Sequence, residues 1–88
     1  MKGKPIFVSL DIILTGQRIH SVIKDSGYSI RQIQEMLSLS CPQPVYRWIH
    51  GSALPSVDNL YRLSKIFQIH MEDLLVEVDT GDKMDQSE

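Results

Sequence analysis

The sequence predicts an all-α fold of five short helices, and three observations favour it. Apolar residues recur at intervals of three and four along most of the chain, the spacing that places them on one face of a helix. Ser, Thr and Gly residues of the types that begin and end helices separate these stretches. The length of 88 residues, with 42% hydrophobic and 23% charged residues, is typical of one globular domain.

Composition divides the chain into three segments. We expect an extended N-terminal arm at residues 1–14, a helical domain at 15–76 and a disordered acidic tail at 77–88. Residues 1–76 carry eight Lys or Arg and six Asp or Glu, a net charge of +2, whereas the tail carries five acids against Lys83, a net charge of −4. A mildly basic body can present a basic face to nucleic acid although the whole chain carries −2.

Composition also narrows the function classes. No apolar run approaches the roughly 18 residues needed to cross a bilayer, and no signal peptide follows Met1, so we expect a cytoplasmic protein without a membrane partner. The single Cys41 and three scattered histidines have no metal-ligand spacing, and no cofactor is predicted. Cys41 is either a small residue at a helix cap or a redox-sensing thiol.

Without paired carboxylates, a nucleophile and base, or a glycine-rich phosphate loop, an enzyme is not expected.

The first helix is expected to begin near Thr15, a residue type favoured at the N-cap, and to end at Gly27. Its buried stripe consists of Ile19, Val22 and Ile23. The preceding apolar stretch, Ile6–Leu10, is predicted to be either a strand or an extended arm, because periodicity does not distinguish them over so short a run. We expect it to pack on the body or on a second subunit.

The second helix has a sharper start, because Ser29 and Gln32 have the spacing of a capping box. Its inner face consists of Ile30, Ile33, Met36 and Leu37. Only residues 38–40 separate it from the next helix, whose expected N-cap is Ser40 or Cys41. A connection this short between amphipathic helices is typical of the helix-turn-helix arrangement, in which the second helix presents its polar face outward.

The third helix, expected at residues 42–50, has two faces of different chemistry. Its apolar face consists of Val45, Trp48 and Ile49, and its polar face consists of Gln43, Tyr46, Arg47 and His50. Pro42 and Pro44 belong in the first turn, where a helix has no N–H bond to lose, and Gly51 suits a left-handed C-terminal cap. We therefore predict that one face packs in the core and the other contacts a partner.

Two further helices complete the prediction. Ser56 is expected to cap the fourth helix, whose apolar positions are Leu60, Leu63, Ile66 and Phe67. The stretch Met71–Val76 predicts a short fifth helix with two acids in its first turn, where the helix dipole favours them.

Seven short motifs follow one another along residues 15–76. They are Thr15-Gly16-Gln17-Arg18-Ile19, Gly27-Tyr28-Ser29, Leu37-Ser38-Leu39-Ser40, Arg47-Trp48 with Gly51, Leu54-Pro55-Ser56, Asp58-Asn59-Leu60 and Met71-Glu72-Asp73-Leu74-Leu75. In this order they resemble the Cro/repressor (XRE) type of helix-turn-helix domain, which implies a lambda-repressor-like fold. Pro42-Gln43 before Val45 is similar to a small Gram-positive subgroup whose turn is one residue longer.

The chain also departs from the pattern of the family it resembles. Members often pair an Arg and a Glu between the first and third helices, where this chain has Ile23 and Ile49, which we expect to touch. His70 stands where members have a capping Ser or Thr, so we expect the last helix to start less firmly.

The resemblance implies a sequence-specific transcriptional regulator, in the simplest case a repressor, that binds double-stranded DNA as a homodimer. A helix fits the major groove of B-DNA, where each base pair presents a distinct pattern of donors and acceptors. The residues expected to contact bases are Gln43, Tyr46 and Arg47. The residues expected to contact the DNA backbone are Ser29, Arg31, Gln32 and His50.

Simpler interpretations stay open for several of these residues. Tyr46 can be a surface aromatic, His50 a solvated residue at a helix end, and Arg31 an exposed charge without a partner. For the whole chain, the alternative is an antitoxin-like protein-interaction module of the same fold. Salt-sensitive, sequence-selective DNA binding distinguishes the regulator from that module.

Overall fold

The computed structural model describes residues 9–78, which fold into helices without β-strands in that range. The elements are α1 (Ile12–Ser26), α2 (Ile30–Met36), α3 (Gln43–Ile49), α4 (Val57–Phe67) and a 3₁₀ helix (Met71–Leu74). The all-α prediction is confirmed for the described residues. Most of the expected N-terminal arm and acidic tail, residues 1–8 and 79–88, lies outside them.

All four α-helices and the 3₁₀ helix contribute apolar side chains to one core. The buried hydrophobic residues are Ile19, Ile23, Ile33, Leu37, Val45, Trp48, Leu60, Leu63 and Leu74. The predicted inner face of α2 was wrong at Met36, which is 40% exposed. The helix ends there, and Leu37, its C-cap residue, takes the inner position one turn after Ile33.

The start of α1 differs from the prediction, because the helix begins at Ile12 rather than near Thr15. Asp11 is the N-cap, and its Oδ1 accepts a hydrogen bond of 2.9 Å from the backbone N–H of Leu14. Thr15 is fully buried inside the helix instead of capping it. Residues 12–14 of the expected arm are therefore helical.

The segments that flank the helices pair with each other. The Asp11 N–H donates to the Val76 carbonyl at 2.7 Å and the Val78 N–H donates to the Ser9 carbonyl at 2.8 Å, which forms an isolated antiparallel bridge. The Thr15 hydroxyl accepts a hydrogen bond of 3.0 Å from the Val76 N–H. We call residues 9–11 and 76–78 the terminal ribbon, and these bonds attach it to the start of α1.

The predicted caps of α2 and α4 are confirmed. Ser29 and Gln32 form the expected capping box, with Oγ accepting from the Gln32 N–H at 3.0 Å and the Gln32 Oε1 accepting from the Ser29 N–H at 2.8 Å. The Ser56 hydroxyl accepts from the Asn59 N–H at 3.2 Å at the start of α4. Both helices thus begin where their sequences indicate.

The predicted N-cap of α3 at Ser40 or Cys41 was wrong, because Pro42 occupies the cap position without a side-chain hydrogen bond. A capping side chain normally accepts from the N–H of the second or third helical residue. Pro44 is the second helical residue and has no N–H, so one of the two usual donors is missing.

The predicted fifth helix is a single 3₁₀ turn, Met71–Leu74, rather than an α-helix over 71–76. His70 is its N-cap and makes no side-chain hydrogen bond, as its sequence led us to expect. Leu75 is already extended, with φ −107° and ψ 142°, because the next residue, Val76, pairs with Asp11 and Thr15. Leu74 still reaches the core and is fully buried.

Candidate nucleic-acid interface

Helix α3 has the two faces that its sequence predicts. Val45 and Trp48 are 0% and 4% exposed, and Ile49 packs against the core. The polar residues on the opposite face are all exposed, namely Gln43, Tyr46, Arg47 and His50. The core thus holds α3 along one side while the four polar side chains stand together on the other.

The connection between α2 and α3 is fixed by local hydrogen bonds. The Leu39 N–H donates to the Gln34 carbonyl at 3.0 Å, and the Gln34 Nε2 donates back to the Leu39 carbonyl at 3.3 Å. Ser38 has φ +58°, an uncommon backbone conformation for a residue other than glycine. Leu39 packs against the core and holds the turn to the body.

The C-terminal end of α3 is closed by backbone hydrogen bonds around Arg47. The Arg47 carbonyl accepts the N–H of Ser52 at 2.8 Å and of Ala53 at 3.3 Å. Gly51 has φ +78°, the left-handed conformation expected of it. These bonds hold the backbone that carries Arg47 while its side chain is exposed to solvent.

Tyr46 and His50, one turn apart on α3, stack on each other. Their ring centroids are 6.2 Å apart and the planes differ by 25°. The pair forms a flat, exposed aromatic surface beside Arg47. His50 therefore belongs to the same surface as the proposed base-contacting residues rather than standing apart from them.

The three residues expected at the start of α2 are exposed, and each already has a partner. Ser29 and Gln32 bond each other's backbone in the capping box. Arg31 lies 3.6 Å from the Glu35 carboxylate, with 86% of its side chain exposed. Such an exposed ion pair contributes little stability and exchanges readily with other anions. Within residues 9–78, no hydrogen bond or ion pair joins these residues to the polar face of α3.

The sequence did not predict the roles of two other arginines. The Arg18 Nε donates to the Asp73 carbonyl at 2.7 Å, and the Arg62 Nη1 donates to the Leu37 carbonyl at the end of α2 at 3.1 Å. Arg62 also pairs with Asp58 at 3.1 Å, a helical spacing visible in the sequence. Both guanidinium groups therefore connect elements of the fold. Of the four arginines in the described range, Arg47 makes no side-chain ion pair or hydrogen bond.

The stretch of chain that contains α3 carries no acidic residue. Between Glu35 and Asp58 the sequence contains no acidic residue, and it contains Arg47. The turn before α3, the helix itself and the loop after it therefore present no carboxylate. An anionic partner approaching this face meets no like charge from that stretch.

Two other features of the described residues bear on the type of site. None of the helices in residues 9–78 is both long enough and apolar enough to cross a membrane. In the same range, no three His, Cys, Asp or Glu side chains lie together as a possible metal site.

Two solved structures share this fold. The restriction-modification controller protein C.AhdI from Aeromonas hydrophila is 22% identical, and the match covers 73% of this chain and 96% of that chain with a TM-score of 0.65. A transcriptional regulator from Listeria innocua is also 22% identical, and the match covers 83% of this chain and 70% of that chain with a TM-score of 0.63.

At this level of identity, the two matches establish the fold. In this fold α2, a short turn and α3 follow one another in the helix-turn-helix order that the sequence predicts. Membership of the subgroup with the longer turn stays a prediction. Direct contact between Ile23 and Ile49 also stays a prediction, although both residues lie in or against the core, to which α1 and α3 both contribute. No protein-family model matches the sequence, and no curated protein does.

Proposed function

We propose that this chain, which has the Cro/repressor-type helix-turn-helix fold, is a sequence-specific transcriptional regulator that binds double-stranded DNA. The observation that carries the proposal is α3, which buries Trp48 and exposes Gln43 and Arg47 on the opposite face. A helix held by the core along one side and polar along the other can enter the major groove, where base pairs are distinguishable. Two of the proteins that share the fold are a restriction-modification controller and a transcriptional regulator.

Three exposed side chains of α3 are proposed to contact bases. The Gln43 amide can donate to and accept from adenine, and the Arg47 guanidinium can donate two hydrogen bonds to guanine. Tyr46 can bond a phosphate through its hydroxyl or pack on a thymine methyl group through its ring. The stack with His50 limits how far the Tyr46 ring can turn, which favours one orientation against the DNA.

Four other residues are proposed to contact the DNA backbone. Arg31 can exchange its exposed pairing with Glu35 for a phosphate, because a charge-assisted bond to phosphate is stronger than this surface ion pair. His50 can place a ring N–H near a phosphate at the far end of α3. Ser29 and Gln32 are held by their capping box, so they would meet the backbone in a fixed geometry. These contacts set the register of the domain without selecting sequence.

We further propose that two copies bind one operator and repress transcription by occupying it. Helix α3 has seven residues and offers three base contacts, each contributing about 1 to 3 kcal/mol of discrimination. Two copies double that number and require half-sites about 34 to 36 Å apart on one face of the duplex. A cytoplasmic location follows from this role.

Electrophoretic shift with fragments of the source genome tests the proposal. A regulator retains a few fragments selectively, and its affinity falls as salt rises because phosphate contacts release counterions. Retention of no fragment, together with a stable complex formed with a co-purified protein, would instead support the antitoxin-like interaction module. Equal retention of all fragments would show DNA binding without sequence recognition.

A further inference from the structure

We infer that Gly16 and Gly51 are positioning residues, which hold the C-terminal end of α3 against the start of α1 and so determine where its polar face meets DNA. One of the two tests below measures DNA binding, and that test rests on the proposed function. The contact is made by backbone atoms and by the Ile13 side chain, and it involves neither a base-contacting nor a phosphate-contacting side chain.

Gly16 is buried on α1 where the end of α3 approaches most closely. A Cβ at this position would overlap the Trp48 carbonyl oxygen, and it would lie 3.1 Å from the Ile49 carbonyl oxygen and 3.2 Å from the Gly51 nitrogen. All three are backbone atoms, so no change of rotamer can make room. Glycine also weakens a helix interior relative to alanine. Its presence inside α1 is therefore explained by the approach of α3 and not by helix formation.

Gly51 meets α1 from the other side of the same contact. A Cβ here would lie 3.0 Å from both the Cα and the Cγ1 of Ile13, and the backbone has φ +78°. Ile13 and Gly16 are three residues apart on α1 and share a face. The end of α3 thus rests on one short strip of α1, with a glycine on each side of the contact.

Movement at this contact would be transmitted to α3 rather than absorbed by α1. The start of α1 is held from another direction by the terminal ribbon, through Asp11 to Val76 at 2.7 Å and Thr15 to Val76 at 3.0 Å. A side chain added at Gly16 therefore displaces the end of α3, which carries Arg47 and His50. A hydrogen bond requires a donor–acceptor distance of roughly 2.7 to 3.2 Å and a nearly linear geometry, so base contacts are sensitive to such a shift.

The test compares Gly16→Ala with Gly27→Ala as a matched control. Gly27 has φ +85°, but a Cβ there meets nothing within 4 Å, so its substitution strains the backbone without contacting α3. At equal folded fraction by circular dichroism, we expect Gly16→Ala to lower the ratio of specific to non-specific DNA affinity at least tenfold. We expect Gly27→Ala to leave that ratio within twofold. An unchanged ratio in Gly16→Ala would overturn the inference.

A measurement without DNA separates this inference from the proposed function. Ile13→Ala removes the Cγ1 that faces Gly51 from a side chain that is 56% exposed, so the fold should be retained even if Gly16→Ala does not fold. In ¹⁵N–¹H spectra we expect its amide shift changes to extend to Trp48, Ile49 and Gly51. Changes confined to α1 would overturn the positioning role. If the wild-type protein retains no DNA selectively, the proposed function is wrong. The spectra would still show whether a change at Ile13 reaches the end of α3.

Discussion

Arg47 and Gln43 stand on the same exposed face of α3, but their backbones are held differently. Two N–H groups donate to the carbonyl of Arg47, whereas Gln43 follows Pro42 at a helix start that has no side-chain cap. The guanidinium therefore projects from the better-fixed end of the helix. The amide projects from the end that has no side-chain cap.

Gln43→Ala tests base recognition by a single side chain. We expect affinity for the preferred operator to fall by about 1 to 3 kcal/mol and the preference at one base pair per half-site to relax, because one amide pairs with one base. Gln17→Ala is the matched control, since Gln17 is an exposed glutamine on α1. Fluorescence anisotropy with single-base operator variants measures both effects. Equal losses for the two variants would place base recognition elsewhere.

Arg31→Ala tests a phosphate contact. We expect all DNA sequences to be bound more weakly by a similar factor, with the slope of log affinity against log salt reduced by about 1. Stability should change by less than about 1 kcal/mol, because the pairing with Glu35 is solvent-exposed. Titrations at several salt concentrations provide the slope. A loss confined to one operator position would mean that Arg31 contacts a base.

At the scale of elements, the sequence was most informative where neighbouring residues alone determine the outcome. The capping box of α2, the Ser56 cap of α4 and the two faces of α3 depend on spacings of three and four, and all three were predicted. The left-handed Gly51 was also predicted, because glycine is the residue that adopts this conformation most easily.

The features that sequence did not predict depend on contacts between distant residues. Thr15 has the chemistry of a cap, but its hydroxyl bonds Val76, 61 residues later, and Asp11 caps the helix instead. Because Val76 bonds to Thr15, the chain is extended after Leu74, and the last helix is a single 3₁₀ turn. Ser38 adopts a left-handed conformation that its residue type does not indicate. The residues next to each of these positions give no signal for the observed cap, the 3₁₀ turn or the left-handed serine.

Thr15→Val tests the attachment of the terminal ribbon. The substitution keeps the shape of the buried side chain but leaves the Val76 N–H without its acceptor, which we expect to destabilise the fold by about 1 to 3 kcal/mol. Chemical denaturation of both proteins measures the difference in free energy of unfolding. A stability equal to that of the wild type would show that the ribbon hydrogen bond contributes nothing.

At the scale of the whole molecule, charge is distributed unevenly. The chain carries −2 overall, yet the 22 residues between Glu35 and Asp58, which include α3, contain no acid. Five of the eleven acidic residues lie at or beyond Glu77. Net charge is therefore a poor guide to the partner of this protein, since the local charge at α3 favours an anion.

The proposed homodimer makes a prediction about the operator. If each copy inserts one α3, the protected DNA should contain two related half-sites with centres about 10 to 10.5 base pairs, or a multiple of that, apart. Footprinting of a retained fragment gives this spacing, and light scattering of the complex gives the number of copies. A single half-site bound by one copy would contradict the dimer without contradicting recognition by α3.

The central claim is that the exposed face of α3 determines which DNA is bound. Sequencing the genomic fragments retained by the wild-type protein and by a Gln43→Ala, Arg47→Ala double variant, at the same folded fraction, tests it most directly. The wild type should enrich one recurring motif, and the double variant should retain DNA weakly without that motif. The same motif enriched equally by both proteins would contradict the claim.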